Sequence, residues 1–295
     1  PVSQQVTGLN SALSLRVMHG ARRGPCVFVS AAIHGDEIIG TAVIQRLLER
    51  LSPEMLAGTI IFAPAVNIYG FAAHSRYLPD RRDLNRSFPG YENGSLAAQL
   101  AHCFLTHVID RCTLGIDIHT AAVHRYNLPQ IRIAAGSPYL SELAMSFGAP
   151  IIVESPLRPG SMRALAADRE TPMLLLEAGE ALRFDRFSIG VGVAGVLRVL
   201  AHIGMIAADD GLDEVEVPVD GDWQGTVENV NHLLDSFEDL YTKMFAKAAR
   251  YSKAGYAIFQ VALVASIETR KPEFPVLPLQ GAMPPEAAHK GEREV

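Results

Sequence analysis

Three side chains in this 295-residue sequence combine the residue types and the placement that could hold one divalent metal ion. They are His34 and Glu37, in His34-Gly35-Asp36-Glu37, and His119, in Asp117-Ile118-His119-Thr120. Two imidazoles and one carboxylate leave the fourth position of a zinc ion open to water, which is the composition of a catalytic centre. Taken alone, His-x-x-Glu is a weak pattern. The same residues also read as a glycine-containing turn in which Asp36 and Glu37 favour a helix N-terminus electrostatically. Asp117 lies two residues from His119, hence on the same face of a strand, where it can orient a metal-bound imidazole. Residues 76–90 carry Arg76, Arg81, Arg82 and Arg86, and arginine is the side chain best shaped to grip a carboxylate through two parallel hydrogen bonds. Arg81 and Arg82 read better as a solvated loop.

These groups need rigid supports. Residues 26–33 are mostly apolar and β-prone, and residues 38–51 follow with apolar side chains at helical spacing, so His34 stands where a strand gives way to a helix. Strand-like runs recur at 59–66, 114–118, 131–135, 150–153 and 172–176. Residues 95–110 form the clearest helix, with Leu96, Leu100, Phe104 and Val108 on one face. Residues 187–206 read as a buried helix. Strands and helices in alternation, with continuous β-branched strand cores, predict an α/β sheet covered on both faces. Such sheets place ligands beyond the carboxyl ends of their strands. His34, His119 and Glu177, in Leu174-Leu175-Leu176-Glu177-Ala178-Gly179, each close one strand and converge in principle on one site.

Composition narrows the function. Hydrophobic residues make up 48% of the chain and charged ones 20%, enough for a sizeable core. The net charge of −6, without a basic run, argues against nucleic acid as a partner. No segment reads as a membrane span or a secretory signal. Cys26, Cys103 and Cys112 form no Cys-x-x-Cys pair and are expected as reduced thiols, so the expected location is cytoplasmic.

His-Gly-Asp-Glu, the stretch Asp83-Leu84-Asn85-Arg86-Ser87-Phe88-Pro89-Gly90, Asp-Ile-His-Thr and Leu-Glu-Ala-Gly occur in the order and spacing of the succinylglutamate desuccinylase/aspartoacylase family, itself related to the zinc carboxypeptidases. The resemblance covers roughly residues 25–205. It implies a carboxypeptidase-like mixed sheet flanked by helices and zinc-dependent hydrolysis of an amide bond. By the same resemblance, His34, Glu37 and His119 hold one zinc ion per chain. Asn85 and Arg86 meet the substrate carboxylate and polarise the carbonyl, and Arg76 and Arg163 are further substrate contacts. Glu177 is implied as the general base, with Glu180 as the fallback beyond the strand end.

The composition shifts after about residue 207 and the resemblance stops. Residues 1–207 are therefore expected as the hydrolase domain, 208–270 as a divergent cap or subdomain, and 271–295 as a flexible tail. An amphipathic helix at 231–251 and an apolar segment at 256–267 offer a surface to the same chain or to a second subunit, leaving a homo-oligomer open. The expected activity is deacylation of a small anionic N-acyl amino acid. The alternatives are a peptide-cleaving zinc carboxypeptidase and a non-catalytic metal-binding protein with an altered cap.

Overall fold

In the computed structural model the described residues are 12–207, the backbone of 3–4 and 10–11, and the isolated positions 232, 235, 236 and 239. The expectations for a cap at 208–270 and a tail at 271–295 lie outside them, apart from those four positions. Two short strands, β1 (Ser3–Gln4) and β2 (Asn10–Ser11), pair antiparallel. The remaining elements follow in chain order: β3 (Arg16–His19), β4 (Arg22–Ala31), α1 (Ile39–Arg50), β5 (Ala57–Ala63), α2 (Ile68–Ala72), α3 (Leu96–His107), β6 (Leu114–Ala121), β7 (Asn127–Ile133), α4 (Pro138–Phe147), β8 (Ile151–Glu154), α5 (Met162–Asp168), β9 (Met173–Glu180) and α6 (Arg186–His202).

Strands β3 to β9 form one seven-stranded mixed sheet in the order β3-β5-β4-β6-β9-β7-β8. β4, β5, β6 and β9 run parallel, while β3 and the β7–β8 pair enter antiparallel at β5 and β9. This is the mixed sheet with flanking helices that the sequence implied. β6 is central and buried along its whole length, as its apolar run predicts.

Side-chain alternation divides the core into two layers. Val27, Val29, Ile116, Ile118, Leu174 and Leu176 face one side, where α1, α4 and α6 cover them. Phe28, Met173 and the apolar residues of α3 and α5 fill the other, with Phe28 and Phe104 packed edge to face at 5.8 Å. By the strand register, Ser30, Asp117, His119 and Glu177 also point to that second side. A polar row therefore crosses the sheet at its carboxyl end, inside an otherwise apolar layer.

The helices start where local chemistry allows. Ser95, Ser137, Ser161 and Asp185 cap α3, α4, α5 and α6 by accepting a backbone N–H of the first turn. α1 has no side-chain cap at its start. Its N-terminus follows the loop that carries His34 and Glu37.

Candidate active site

The loop between β4 and α1 folds into a turn in which the Glu37 N–H donates to the His34 carbonyl at 3.1 Å. This brings both side chains to one side. His34 Nδ1 then meets Glu37 Oε1 at 2.7 Å, and His119 Nδ1, arriving from β6, meets Glu37 Oε2 at 2.8 Å. The backbone N–H of Thr120 also donates to Oε2, at 3.2 Å. All three residues are buried, and their ligand atoms lie within 4.8 Å of one another.

The donor set fits a divalent metal. Two imidazole Nδ1 atoms and one carboxylate converge, and each imidazole turns its other nitrogen toward an aspartate. His119 Nε2 pairs with Asp117 Oδ2 at 2.7 Å, and the other Asp117 oxygen accepts from Ser30 Oγ at 2.7 Å. Asp117 is fully buried in the central strand, where an unpaired oxygen would cost about 1–3 kcal/mol; both its oxygens are used. His34 Nε2 faces Asp83 Oδ1 at 3.3 Å, within ion-pair range but off the line of a hydrogen bond. Carboxylates behind ligating histidines fix the tautomer and make the ligand nitrogen more basic.

Charge in the site is strongly organised. Burial alone would raise Glu37, but His119 and His34 outweigh it and hold the carboxyl well below the usual range. Burial opposes protonation of His119, yet Asp117 and Glu37 prevail and raise it well above an ordinary histidine. Asp83 is likewise held low, against its burial, by His34 and Arg76.

Glu177 occupies the position on β9 paired with His119 on β6 and faces the same side. Burial pushes its carboxyl up. Asn127 Nδ2 donates to Oε2 at 2.8 Å, and Arg132 Nη1 stops 3.9 Å from Oε1. Both residues come from β7 and were absent from the sequence reading. The signal available was the alternation of Gln130 and Arg132 with buried Ile131 and Ile133, which marks a polar face on that strand. Asp83, also unassigned by the sequence, lies within a stretch already noticed.

The remaining expected residues divide. Asn85 is buried, and its Oδ1 accepts from the Met162 N–H at 2.9 Å, tying its loop to α5. Arg86 is exposed and adjoins it in a short 3-10 turn. Arg163 is buried at the start of α5, close enough to Glu177 to feel its charge. Arg76 reaches the centre, where it donates to Glu37 Oε1 at 3.3 Å and to Asp83 Oδ2 at 3.0 Å. It is thus engaged by the site's own carboxylates. Glu180 ends β9 rather than lying beyond it, and its carboxylate accepts the His124 backbone N–H at 2.8 Å.

Comparison with known proteins places the chain by family and fold. Residues 23–203 match the succinylglutamate desuccinylase/aspartoacylase catalytic domain, and residues 202–295 match a different family, the hydantoinase/oxoprolinase C-terminal domain. The chain is 27% identical over 203 residues to the N-alpha-acetyl-L-2,4-diaminobutyric acid deacetylase of Halomonas elongata, covering 66% of this chain and 58% of that protein. A succinylglutamate desuccinylase/aspartoacylase crystal structure from Rhodobacter sphaeroides superimposes with a TM-score of 0.60 at 32% identity, covering 65% of this chain and 59% of that one. The product-bound ectoine utilization protein EutE (DoeB) of Ruegeria pomeroyi gives 0.62 at 25% identity, covering 70% and 63%. The chain thus spans about three fifths of the length of these relatives. With the family match running through every element that supplies the site, this chain belongs to the succinylglutamate desuccinylase/aspartoacylase family.

Proposed function

We propose that the chain is a zinc-dependent deacylase that hydrolyses the amide bond of a small anionic N-acyl amino acid. The observation that carries this is the buried His34–Glu37–His119 set with Glu177 beside it on the next strand. The family match and the deacetylase named among the relatives support it.

His34, Glu37 and His119 would hold the zinc ion, which when bound would supply Lewis acidity toward the amide carbonyl and water. Glu177 accepts a proton from the attacking water and returns it to the leaving nitrogen. Asn127 donates to Oε2 and fixes the orientation of the Glu177 carboxylate. Arg86 balances the negative charge developing on the carbonyl oxygen, a contribution worth about 2.7–4 kcal/mol when such a donor is lost. Asn85 and Arg86 together receive the substrate carboxylate, and Arg163 is a second contact. Arg76 acts on the substrate through the electrostatics of Glu37 and Asp83, which it neutralises.

The match at residues 202–295 supports reading the chain as a hydrolase domain, 1–207, joined to a C-terminal region of another family. Cys26, Cys103 and Cys112 are free, with the Cys26 and Cys112 sulfurs 3.4 Å apart. No helix among the described residues is long and apolar enough to cross a membrane.

The test is release of free amine from a panel of N-acetyl and N-succinyl amino acids by the zinc-loaded protein, with E177Q as the comparison. Turnover that falls about a hundredfold or more in E177Q, with zinc still bound, is the expected result. Near-full turnover in E177Q removes Glu177 as the base. Zinc binding without turnover of any amide leaves a non-catalytic metal protein.

A further inference from the structure

Two of the three cysteines meet where the strands that carry His34 and His119 begin to pair. Cys26 lies in β4 and Cys112 just ahead of β6, and their sulfurs stand 3.4 Å apart. The backbones there are pinned together. The Thr113 N–H and hydroxyl both donate to the Cys26 carbonyl, at 2.7 and 3.1 Å. From Val27 and Leu114 the parallel register then runs on to Ala31 and Ile118. Continued one step back, it sets Thr113 opposite Cys26 and Cys112 diagonally across. A strand spacing of about 4.8 Å and a rise of about 3.3 Å put the two Cα atoms roughly 6 Å apart, within the span of a disulfide. The sulfurs have about 1.4 Å left to close to bonding distance, a movement within reach of the side-chain torsions.

The pair is unequal. Both cysteines lie in the apolar layer of Phe28 and α3. Cys112 is buried, and burial together with the neighbouring Cys26 sulfur pushes its thiol up. Cys26 is only half-buried, so a reagent in solution meets it first. Cys103, in α3, is also half-buried and stands outside the pair.

We propose that Cys26 and Cys112 are a modification site, a reversible disulfide that ties β4 to the start of β6 when a small disulfide such as oxidised glutathione is supplied. The Cys26 thiolate attacks one sulfur of the reagent, breaks its S–S bond and releases one thiolate. Cys112 then loses its proton and attacks Cys26 Sγ, and the second glutathione leaves as thiolate. The two leaving groups take up the two protons that the cysteines gave. Two protein thiols are oxidised and one reagent molecule is reduced to two thiols. The bond sits at the opposite end of the strands from His34 and His119, so it leaves the metal centre in place. It closes a long loop of chain and thereby stabilises the folded state. This proposal is independent of the deacylase reading.

The test incubates the zinc-loaded full-length chain with oxidised glutathione and maps it by mass spectrometry of non-reduced peptides. A linked Cys26–Cys112 peptide is expected, reversed by dithiothreitol, with Cys103 still open to alkylation and the zinc content unchanged. The melting temperature rises by about 5 °C or more. C103A forms the same bond. C112A stops at a glutathione adduct on Cys26, and C26A gives no adduct on Cys112, which fixes the order of attack. Linkage to Cys103, a lasting glutathione adduct on the wild type, or no reaction at Cys26 overturns the proposal. So does a linked peptide that forms only in urea, a lower melting temperature, or release of zinc. The wild-type map needs no substitution and decides the question where a variant loses its native circular-dichroism spectrum.

Discussion

At Glu37, one carboxylate is met by His34, His119, Arg76 and the N–H of Thr120. Its ionised state follows from those neighbours, and the orientation of its ligand partners follows from the aspartates behind them. Asp117→Asn keeps a hydrogen bond to His119 but removes the charge that raises its basicity. Zinc affinity of this variant, measured against a competing chelator, is expected to fall by about 10–100-fold. Glu177 poses a pH question of definite sign. Burial raises its folded pKa above the ordinary 4.5. The base form is required, so activity is lost as pH falls through the raised value. The acidic limb of kcat/KM is expected above 4.5, and a limb at or below that value would assign it to another group. His34, Glu37, His119 and Glu177 stood out in the sequence because each follows a recognisable apolar run, although the structure carries β6 on to Ala121 and β9 on to Glu180, so that His119 and Glu177 lie within their strands rather than closing them. Asn127 and Arg132 were not, because their role depends on β7 lying antiparallel beside β9, an adjacency that local spacing does not encode.

The elements hold this chemistry through close backbone packing. Gly35, between the turn residues His34 and Asp36, lies against α2 so tightly that a Cβ there would sit 1.9 Å from the Gly70 carbonyl carbon and 2.2 Å from the Phe71 nitrogen. Backbone atoms cannot rotate aside as a side chain can. Gly35→Ala is therefore expected to push the loop off α2, costing about 1–3 kcal/mol, or roughly 2–10 °C in melting temperature. The same displacement should weaken zinc binding, which separates it from a simple stability loss elsewhere in the sheet; calorimetry with and without the metal measures both. Periodicity located α1, α3, α6 and six strands of the main sheet. It placed β7 at 131–135 rather than Asn127–Ile133, because Pro129 and exposed Leu128 read against a strand. It missed β3, a four-residue edge strand with no buried residue to set a pattern.

Across the whole molecule, every described site residue lies between positions 34 and 177, and the core closes near 206. Met205 and Ile206 are buried, and the Met205 carbonyl accepts the Ala57 N–H at 2.7 Å. A chain ending at residue 207 is expected to unfold in one cooperative transition and to bind one zinc ion per molecule, which scanning calorimetry and metal analysis would measure. Failure of that chain to fold would assign a supporting role to the C-terminal region. The fold class was legible because strand and helix runs alternate, whereas the character of residues 208–295 was not. Their sequence belongs to a pattern that the first four motifs do not predict. Arg76 supplies Glu37 and Asp83 with a positive neighbour from within the chain. A guanidinium held between them offsets the repulsion of two neighbouring carboxylates, so Glu37 and Asp83 can both stay ionised as the fold closes around them.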